Sequence, residues 1–136
     1  MGNLFCYGTL MYQPLLRALV ERELSVEEAV LDGYSCLAVK AAAYPAIVAD
    51  ENGRVVGQLV RNIPPGAWQR IDRYEGEYYR REEVEVTLTD GSTAEAGTYV
   101  IRPRYRSRLS RRTWQYGPDA ERYAKAQCEA LMQGRA

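Results

Sequence analysis

The stretch Ala46-Ile47-Val48-Ala49-Asp50-Glu51-Asn52-Gly53-Arg54-Val55-Val56-Gly57-Gln58-Leu59 sets two apolar runs on either side of an Asn-Gly pair. Both residues tolerate positive φ, which makes such a pair the strongest short-range signal for a β-hairpin. Residues 46–48 are therefore predicted to lead into a turn at Asn52-Gly53, with Arg54 to Ile63 returning as the partner strand. A second hairpin is predicted downstream. Val84, Val86 and Leu88 alternate with Glu83, Glu85 and Thr87, Asp90-Gly91 supplies the turn, and Ala94 to Ile101 returns.

Working outward, Asn3 to Tyr7 is short, apolar and aromatic, and runs into Gly8-Thr9 ahead of a helical pattern with Leu15, Leu16, Leu19 and Val20 on one face. Pro14 suits the first turn of that helix, where its missing N–H is not needed. Ala29 to Val39 is a further apolar run, broken at Asp32-Gly33. Between the two hairpins, Pro64-Pro65-Gly66 opens a short helix with Ala67, Trp68, Ile71 and Tyr74 or Glu75 at helical spacing, ended by Gly76. Residues 102–112 are arginine-rich and read as irregular, and Pro118 to Met132 reads as a C-terminal helix with Ala120, Tyr123, Ala124, Cys128 and Leu131 along one side. Five or six strands joined largely by hairpins, with short helices inserted, predict an α+β chain built on a mostly antiparallel, closed or nearly closed sheet.

A chain of 136 residues buries roughly two-thirds of its unfolded surface, enough for one core, and residues 1–136 read as a single domain. Hydrophobic residues make up 46% and charged residues 26%, which excludes the disordered and fibrous classes. Eighteen basic and eighteen acidic residues cancel, so no long-range field draws the whole molecule to nucleic acid or anionic membrane. No apolar run reaches about 18 residues and the N-terminus lacks a basic start, so neither membrane spanning nor export is expected. Cys6, Cys36 and Cys128 are odd in number and far apart, which fits reduced thiols in a cytoplasm better than disulfides or a zinc site. Histidine is absent, which removes the commonest general base and metal ligand and leaves carboxylates, tyrosines and backbone amides for any chemistry.

Within Tyr74-Glu75-Gly76-Glu77-Tyr78-Tyr79, Glu75 falls at a helix C-terminus, where the helix dipole opposes its charge. In an apolar cavity walled by Trp68, Tyr78 and Tyr79, desolvation and the dipole together would raise its pKa toward neutrality, where acid–base work is efficient. The bland alternative is a solvated glutamate at a helix cap, the commoner fate of that residue type. Glu77 lies past the glycine and ranks well below Glu75, and Glu83 and Glu85 belong to the polar face of their strand. Tyr7-Gly8-Thr9-Leu10 can aim several N–H groups at one anion, although these four residues alone equally describe an ordinary strand-to-helix turn.

Phe5-x-Tyr7-Gly8-Thr9-Leu10, Tyr44-Pro45-Ala46, Gly57-x-Leu59, Ile71-Asp72-x-Tyr74-Glu75-Gly76, Tyr79-x-Arg81 with Val84-x-Val86, and Tyr99-Val100 together resemble the γ-glutamylcyclotransferase-like, or AIG2-like, family. The resemblance covers roughly residues 3–101. It implies a small mixed β-barrel in which the Tyr7 to Leu10 loop walls a cavity, Glu75 is the catalytic acid–base, and Tyr79 is the matched tyrosine. It further implies that the α-amine of a γ-glutamyl group attacks its own γ-carbonyl, forming 5-oxoproline and releasing an amine, with no metal or cofactor. Tyr7, Gly8, Thr9, Leu10 and Tyr79 are then expected to bind the substrate, the amides of residues 8–10 holding its carboxylate or oxyanion. Thr9-Leu10 stands where cyclotransferases of γ-glutamyl amino acids tend to carry Ser-Asn, and Tyr12 where relatives often have glycine, so the substrate class stays open.

Two other readings have residues to support them. One is a barrel that binds a small metabolite without converting it. The other uses Arg102, Arg104, Arg106, Arg108, Arg111 and Arg112, interleaved with Tyr105 and Trp114, as a nucleic-acid or partner surface. Zero net charge favours a solvated loop over nucleic-acid contact for that segment, and the sequence leaves the oligomeric state open.

Overall fold

A computed structural model of the chain describes residues 2–134. The strands are β1 (Gly2–Cys6), β2 (Ser25–Val39), β3 (Pro45–Ile63), β4 (Tyr79–Leu88), β5 (Thr93–Ile101) and β6 (Leu109–Thr113). The helices are α1 (Gln13–Val20), α2 (Pro65–Glu75) and α3 (Pro118–Gln133), with 3-10 turns at Thr9–Met11 and Pro103–Arg108. The expected domain of 1–136 also takes in residues 1, 135 and 136, which lie outside the described residues.

Five strands close on themselves. β1 pairs antiparallel with β3, β3 with β2, β2 with β4 and β4 with β5, and a parallel contact of Leu4 with Gly97 joins β5 back to β1. β6 adds to the free edge of β2. The result is a mixed, mostly antiparallel barrel with short helices, as the sequence reading and the resemblance both implied.

Side-chain alternation along β1 shows how the core divides. Phe5 and Tyr7 point into the barrel with Leu31, Ile47, Leu59 and Val86, whereas Leu4 and Cys6 point outward into a second cluster. That second cluster holds Leu15, Leu16, Leu19 and Val20 of α1, Ala67 and Ile71 of α2 and Ala124 of α3. Both faces of β1 are therefore buried from Leu4 onward, one by the barrel and one by helices, which is why Leu4, Phe5 and Cys6 follow one another without a polar alternate.

Two readings of the sequence need correction. Asn52-Gly53 is not a hairpin turn. β3 runs unbroken from Pro45 to Ile63, and both of its halves pair with β2, Tyr34 with Ala49 and Asp32 with Arg54, the register shifting where the strands bulge. Asp50 fixes the bulge by accepting from Asn52 N–H (3.1 Å) and from Ser35 Oγ (2.5 Å). Gly53 serves close approach, since a Cβ there would collide with the Tyr34 carbonyl oxygen. The second correction concerns 102–112, predicted as irregular: its last part belongs to β6, recruited by the unpaired edge of β2. The Asp90-Gly91 turn does close a hairpin, with Ser92 N–H donating to Asp90 Oδ1 (2.9 Å) and β4 and β5 in register from Tyr79–Ile101 to Thr87–Thr93.

Candidate active site

Where β1 and β5 finish and β3 and β4 begin, the helices leave a cavity of about 200 Å³ at one end of the barrel. Its inner wall is formed by Phe5, Cys6, Tyr7, Thr9, Leu10, Pro45, Tyr79 and Tyr99, all buried. Tyr44, Tyr74, Tyr78, Tyr123 and Gln127 are partly exposed and form its mouth. Glu75, Tyr7, Gly8, Thr9, Leu10 and Tyr79, the six residues singled out from the sequence, all line this one cavity.

Local backbone chemistry sets Glu75 in place. α2 starts on Pro65 and ends when Gly76 takes φ +85°, a conformation favouring glycine, while Gly76 N–H still caps the Asp72 carbonyl at 3.1 Å. Glu75 is thereby the last residue of the helix, turned toward the barrel end. Trp68 does not share its cavity. It lies two turns earlier on α2, about 10 Å along the axis, over Gly2 and Gly97 and beneath the Arg81 guanidinium at 4.5 Å.

Glu75 keeps part of its surface open to the cavity, yet protein encloses its carboxyl. Burial, and then the charge of Asp72 one turn back, push its pKa up from 4.5 to about 8. The sequence reading expected desolvation together with the helix dipole; the second contributor is Asp72. Among the described residues no side chain pairs with Glu75, whereas Asp72 accepts the Tyr99 hydroxyl at 2.6 Å and Arg81 Nη1 at 3.1 Å.

The phenols of Tyr7, Tyr74, Tyr79 and Tyr99 stay protonated at neutral pH. Burial first, and Glu75's charge among the further causes, raise Tyr7, Tyr79 and Tyr99, and Tyr74 is pushed up to about 12. Tyr7 donates its hydroxyl to the Tyr99 carbonyl at 2.5 Å and Tyr79 donates to the Pro45 carbonyl at 2.6 Å. With their protons committed to the main chain, both oxygens can offer a substrate N–H only lone pairs, and that of Tyr7 already accepts from the Ile47 backbone N–H.

In the same cavity wall, the turn after β1 bonds Met11 N–H to the Gly8 carbonyl (3.0 Å) and Tyr12 N–H to the Thr9 carbonyl (3.1 Å). The N–H groups of Gly8, Thr9 and Leu10 precede the first bond of that turn and have no partner within it. Gly8 lies hard against Pro45, since a Cβ at Gly8 would meet the proline ring at 3.1–3.2 Å. The Thr9 hydroxyl hydrogen-bonds the phenol of Tyr74. One cavity thus combines a titratable carboxyl, phenolic acceptors and main-chain donors.

The sequence reading missed Tyr123 and Gln127, which α3 brings to the mouth one helical turn apart, with the Tyr123 ring 6.0 Å from that of Tyr44. The C-terminal pattern placed Tyr123 on the apolar side of a helix; nothing in it said which cavity that side would meet. Tyr44-Pro45 and Tyr99 were visible as motif residues and also prove to be wall residues.

Fold and site define a class: a small closed β-barrel with helices over one end and, among the described residues, a single carboxyl side chain in the cavity beneath them. The sequence model of the family described as gamma-glutamyl cyclotransferase, AIG2-like, matches residues 4–117, and the chain belongs to that family. AIG2-like protein D of Arabidopsis thaliana is 32% identical over 102 residues, covering 74% of this chain and 67% of the relative. Across the curated relatives the match spans between 52% and 67% of their length. A solution structure of another Arabidopsis thaliana protein superposes with a TM-score of 0.70 at 26% identity, covering 98% of this chain and 79% of that one. A crystal structure of a yeast γ-glutamyl cyclotransferase specific to glutathione shares the fold, with a TM-score of 0.65 at 13% identity over 98% of this chain and 88% of that one. No helix among the described residues is long and apolar enough to cross a membrane.

Proposed function

We propose that this protein is a γ-glutamylcyclotransferase-like enzyme that converts a γ-glutamyl amine or related γ-glutamyl conjugate to 5-oxoproline and a free amine. The observation that carries this reading is the Glu75 carboxyl, half-buried and raised to about 8, lining the same cavity as Gly8, Thr9, Leu10 and the tyrosines Tyr7 and Tyr79. Alone at pH 7, about one such carboxyl in ten is ionised. A substrate ammonium beside it favours the charged form and increases that fraction.

Glu75 then takes one proton from the α-ammonium. The freed nitrogen attacks the γ-carbonyl carbon of the same molecule, and the carbonyl electrons move onto oxygen, where the amides of Gly8, Thr9 and Leu10 stabilise them. Glu75 returns the proton to the leaving nitrogen, the carbon–nitrogen bond breaks as the lactam carbonyl re-forms, and the second proton shed by the ring nitrogen passes through Glu75 to the departing amine, which leaves as an ammonium. Ring closure is intramolecular, so the enzyme's work is orientation and proton transfer. Tyr79, and Tyr7 through its one remaining lone pair, accept hydrogen bonds from the substrate ammonium. Three thiols, none in a disulfide, suit a reducing, cytoplasmic setting.

The test is 5-oxoproline release from a panel of γ-glutamyl amines, γ-glutamyl amino acids and glutathione. Release by wild type and its loss in Glu75→Gln support the reading. Glu75→Gln turning over at the wild-type rate removes Glu75 from the mechanism. Tight binding of panel members with no release from any of them marks the barrel as a binder.

A further inference from the structure

The arginine segment after β5 plays no part in the chemistry above, yet it packs against Tyr78, a residue of the cavity mouth. Arg102 N–H donates to the Tyr78 carbonyl at 2.8 Å, and Tyr105 N–H donates to the Arg102 carbonyl at 2.8 Å, tying the segment to a mouth residue. The Tyr105 ring packs on the Tyr78 ring at 4.8 Å. The Arg108 guanidinium lies over the Tyr78 ring at 5.1 Å and that of Arg104 over the Tyr105 ring at 5.1 Å. On its other flank the segment is held by Lys40, whose N–H donates to the Arg108 carbonyl at 2.8 Å and whose Nζ donates to the Ser107 carbonyl at 3.0 Å. Val39, next to Lys40, donates its N–H to the carbonyl of Tyr44, another mouth residue.

Arg108 is therefore held beside the mouth, its charge set over the Tyr78 ring and its backbone linked through Lys40 and Val39 toward Tyr44, and among the described residues no carboxylate pairs with it or with Arg104. The one acidic side chain in this group, Glu77, accepts the Tyr105 hydroxyl at 3.1 Å. A guanidinium held on an aromatic ring and free of a counter-charge is prepared to bind an anion, most favourably a carboxylate in the two-pronged manner. The cavity of about 200 Å³ is smaller than the 300–1,000 Å³ typical of whole-ligand pockets, so it suits the γ-glutamyl end and leaves the departing group in the mouth.

Resting on the cyclotransferase reading, we propose that Arg108, backed by Arg104 and Lys40, is an anion subsite for the leaving group. The preferred substrates are then γ-glutamyl conjugates whose departing amine carries a carboxylate, as an amino acid or peptide does, over uncharged γ-glutamyl amines.

The experiment compares γ-glutamyl-alanine with γ-glutamyl-alaninamide, which differ in that one charge, on wild type and on Arg108→Ala, Arg108→Lys and Arg112→Ala. Wild type is expected to prefer the acid by about tenfold or more in kcat/KM. Arg108→Ala should collapse this ratio mainly through KM, Arg108→Lys should restore part of it, and added salt should reduce it. Arg112→Ala, an exposed change on β6, should leave the ratio as it is. Equal use of both substrates by wild type, or an unchanged ratio in Arg108→Ala, overturns the proposal.

Calorimetric binding of the same pair to Glu75→Gln tests the subsite without turnover. An acid preference there that Arg108→Ala abolishes supports the subsite, even where wild type releases no 5-oxoproline and the cyclotransferase reading fails. Binding with no preference, or no binding of either compound, overturns it.

Discussion

The last turn of α2 carries two carboxylates on two sides. Asp72 faces outward and is held by the Tyr99 hydroxyl and Arg81, while Glu75, three residues on, turns into the cavity and finds no partner among the described residues. The difference teaches how one short helix makes a reactive acid: hydrogen bonds and a cation hold the first charge in place, and that charge joins burial in discouraging the second. Asp72 lies outside the cavity, and its charge biases the protonation of Glu75 within it.

The strongest way to break this comparison is Glu75→Gln. It should lower kcat for 5-oxoproline release by roughly 100-fold or more, the contribution of a positioned acid–base group. It should also stabilise the fold at alkaline pH. The folded pKa of about 8 lies above the ordinary 4.5, so the folded state keeps a proton that the unfolded chain releases. Stability therefore falls as pH rises from about 4.5 to about 8 and stays lowered beyond, by on the order of 5 kcal/mol at full effect. Denaturant midpoints at pH 5 and pH 9 should converge in Glu75→Gln relative to wild type; an unchanged gap would place Glu75 in solvent.

Next in size is the pH profile. The base must be ionised to start the reaction, so kcat/KM should rise with pH along a limb set by the free enzyme's Glu75, near pH 8. A limb below pH 6 would contradict the buried carboxyl. Asp72→Asn sharpens the comparison, because it deletes the secondary cause of the shift and keeps an acceptor for Tyr99. The limb should move to lower pH by less than about one unit, with burial retaining most of the shift. No movement would make Asp72 merely structural. Smallest is Tyr99→Phe, which removes the phenol bond to Asp72 and should cost about 1 kcal/mol in chemical denaturation.

Two look-alike turns show how far local sequence reaches. Asp90-Gly91 and Asn52-Gly53 both follow an apolar run, and in both an Asp carboxylate accepts the N–H two residues on. One reverses the chain and the other only bends it. The reason is β2, whose fifteen residues from Ser25 to Val39 are long enough to pair with both halves of β3, a competition that no window around residue 52 contains. β6 repeats the lesson from the opposite side, since Leu109–Thr113 has weak strand character and becomes a strand because β2 offers it an open edge.

What the sequence determined by itself is the set of elements that rest on neighbours in the chain. These are α2 and its stop at Gly76, the β4–β5 hairpin, the apolar stripes of α1 and α3, and hence Glu75 at a helix end. The motif residues Tyr7 to Leu10 and Tyr79 were legible as well. What only the tertiary structure decided is everything that depends on distance through space: barrel closure through β1 and β5, Tyr123 and Gln127 at the mouth, Trp68 away from it, and Arg108 over Tyr78. The rise of Glu75's pKa belongs to that second group, because desolvation and the field of Asp72 depend on which atoms surround a carboxyl once the chain has packed.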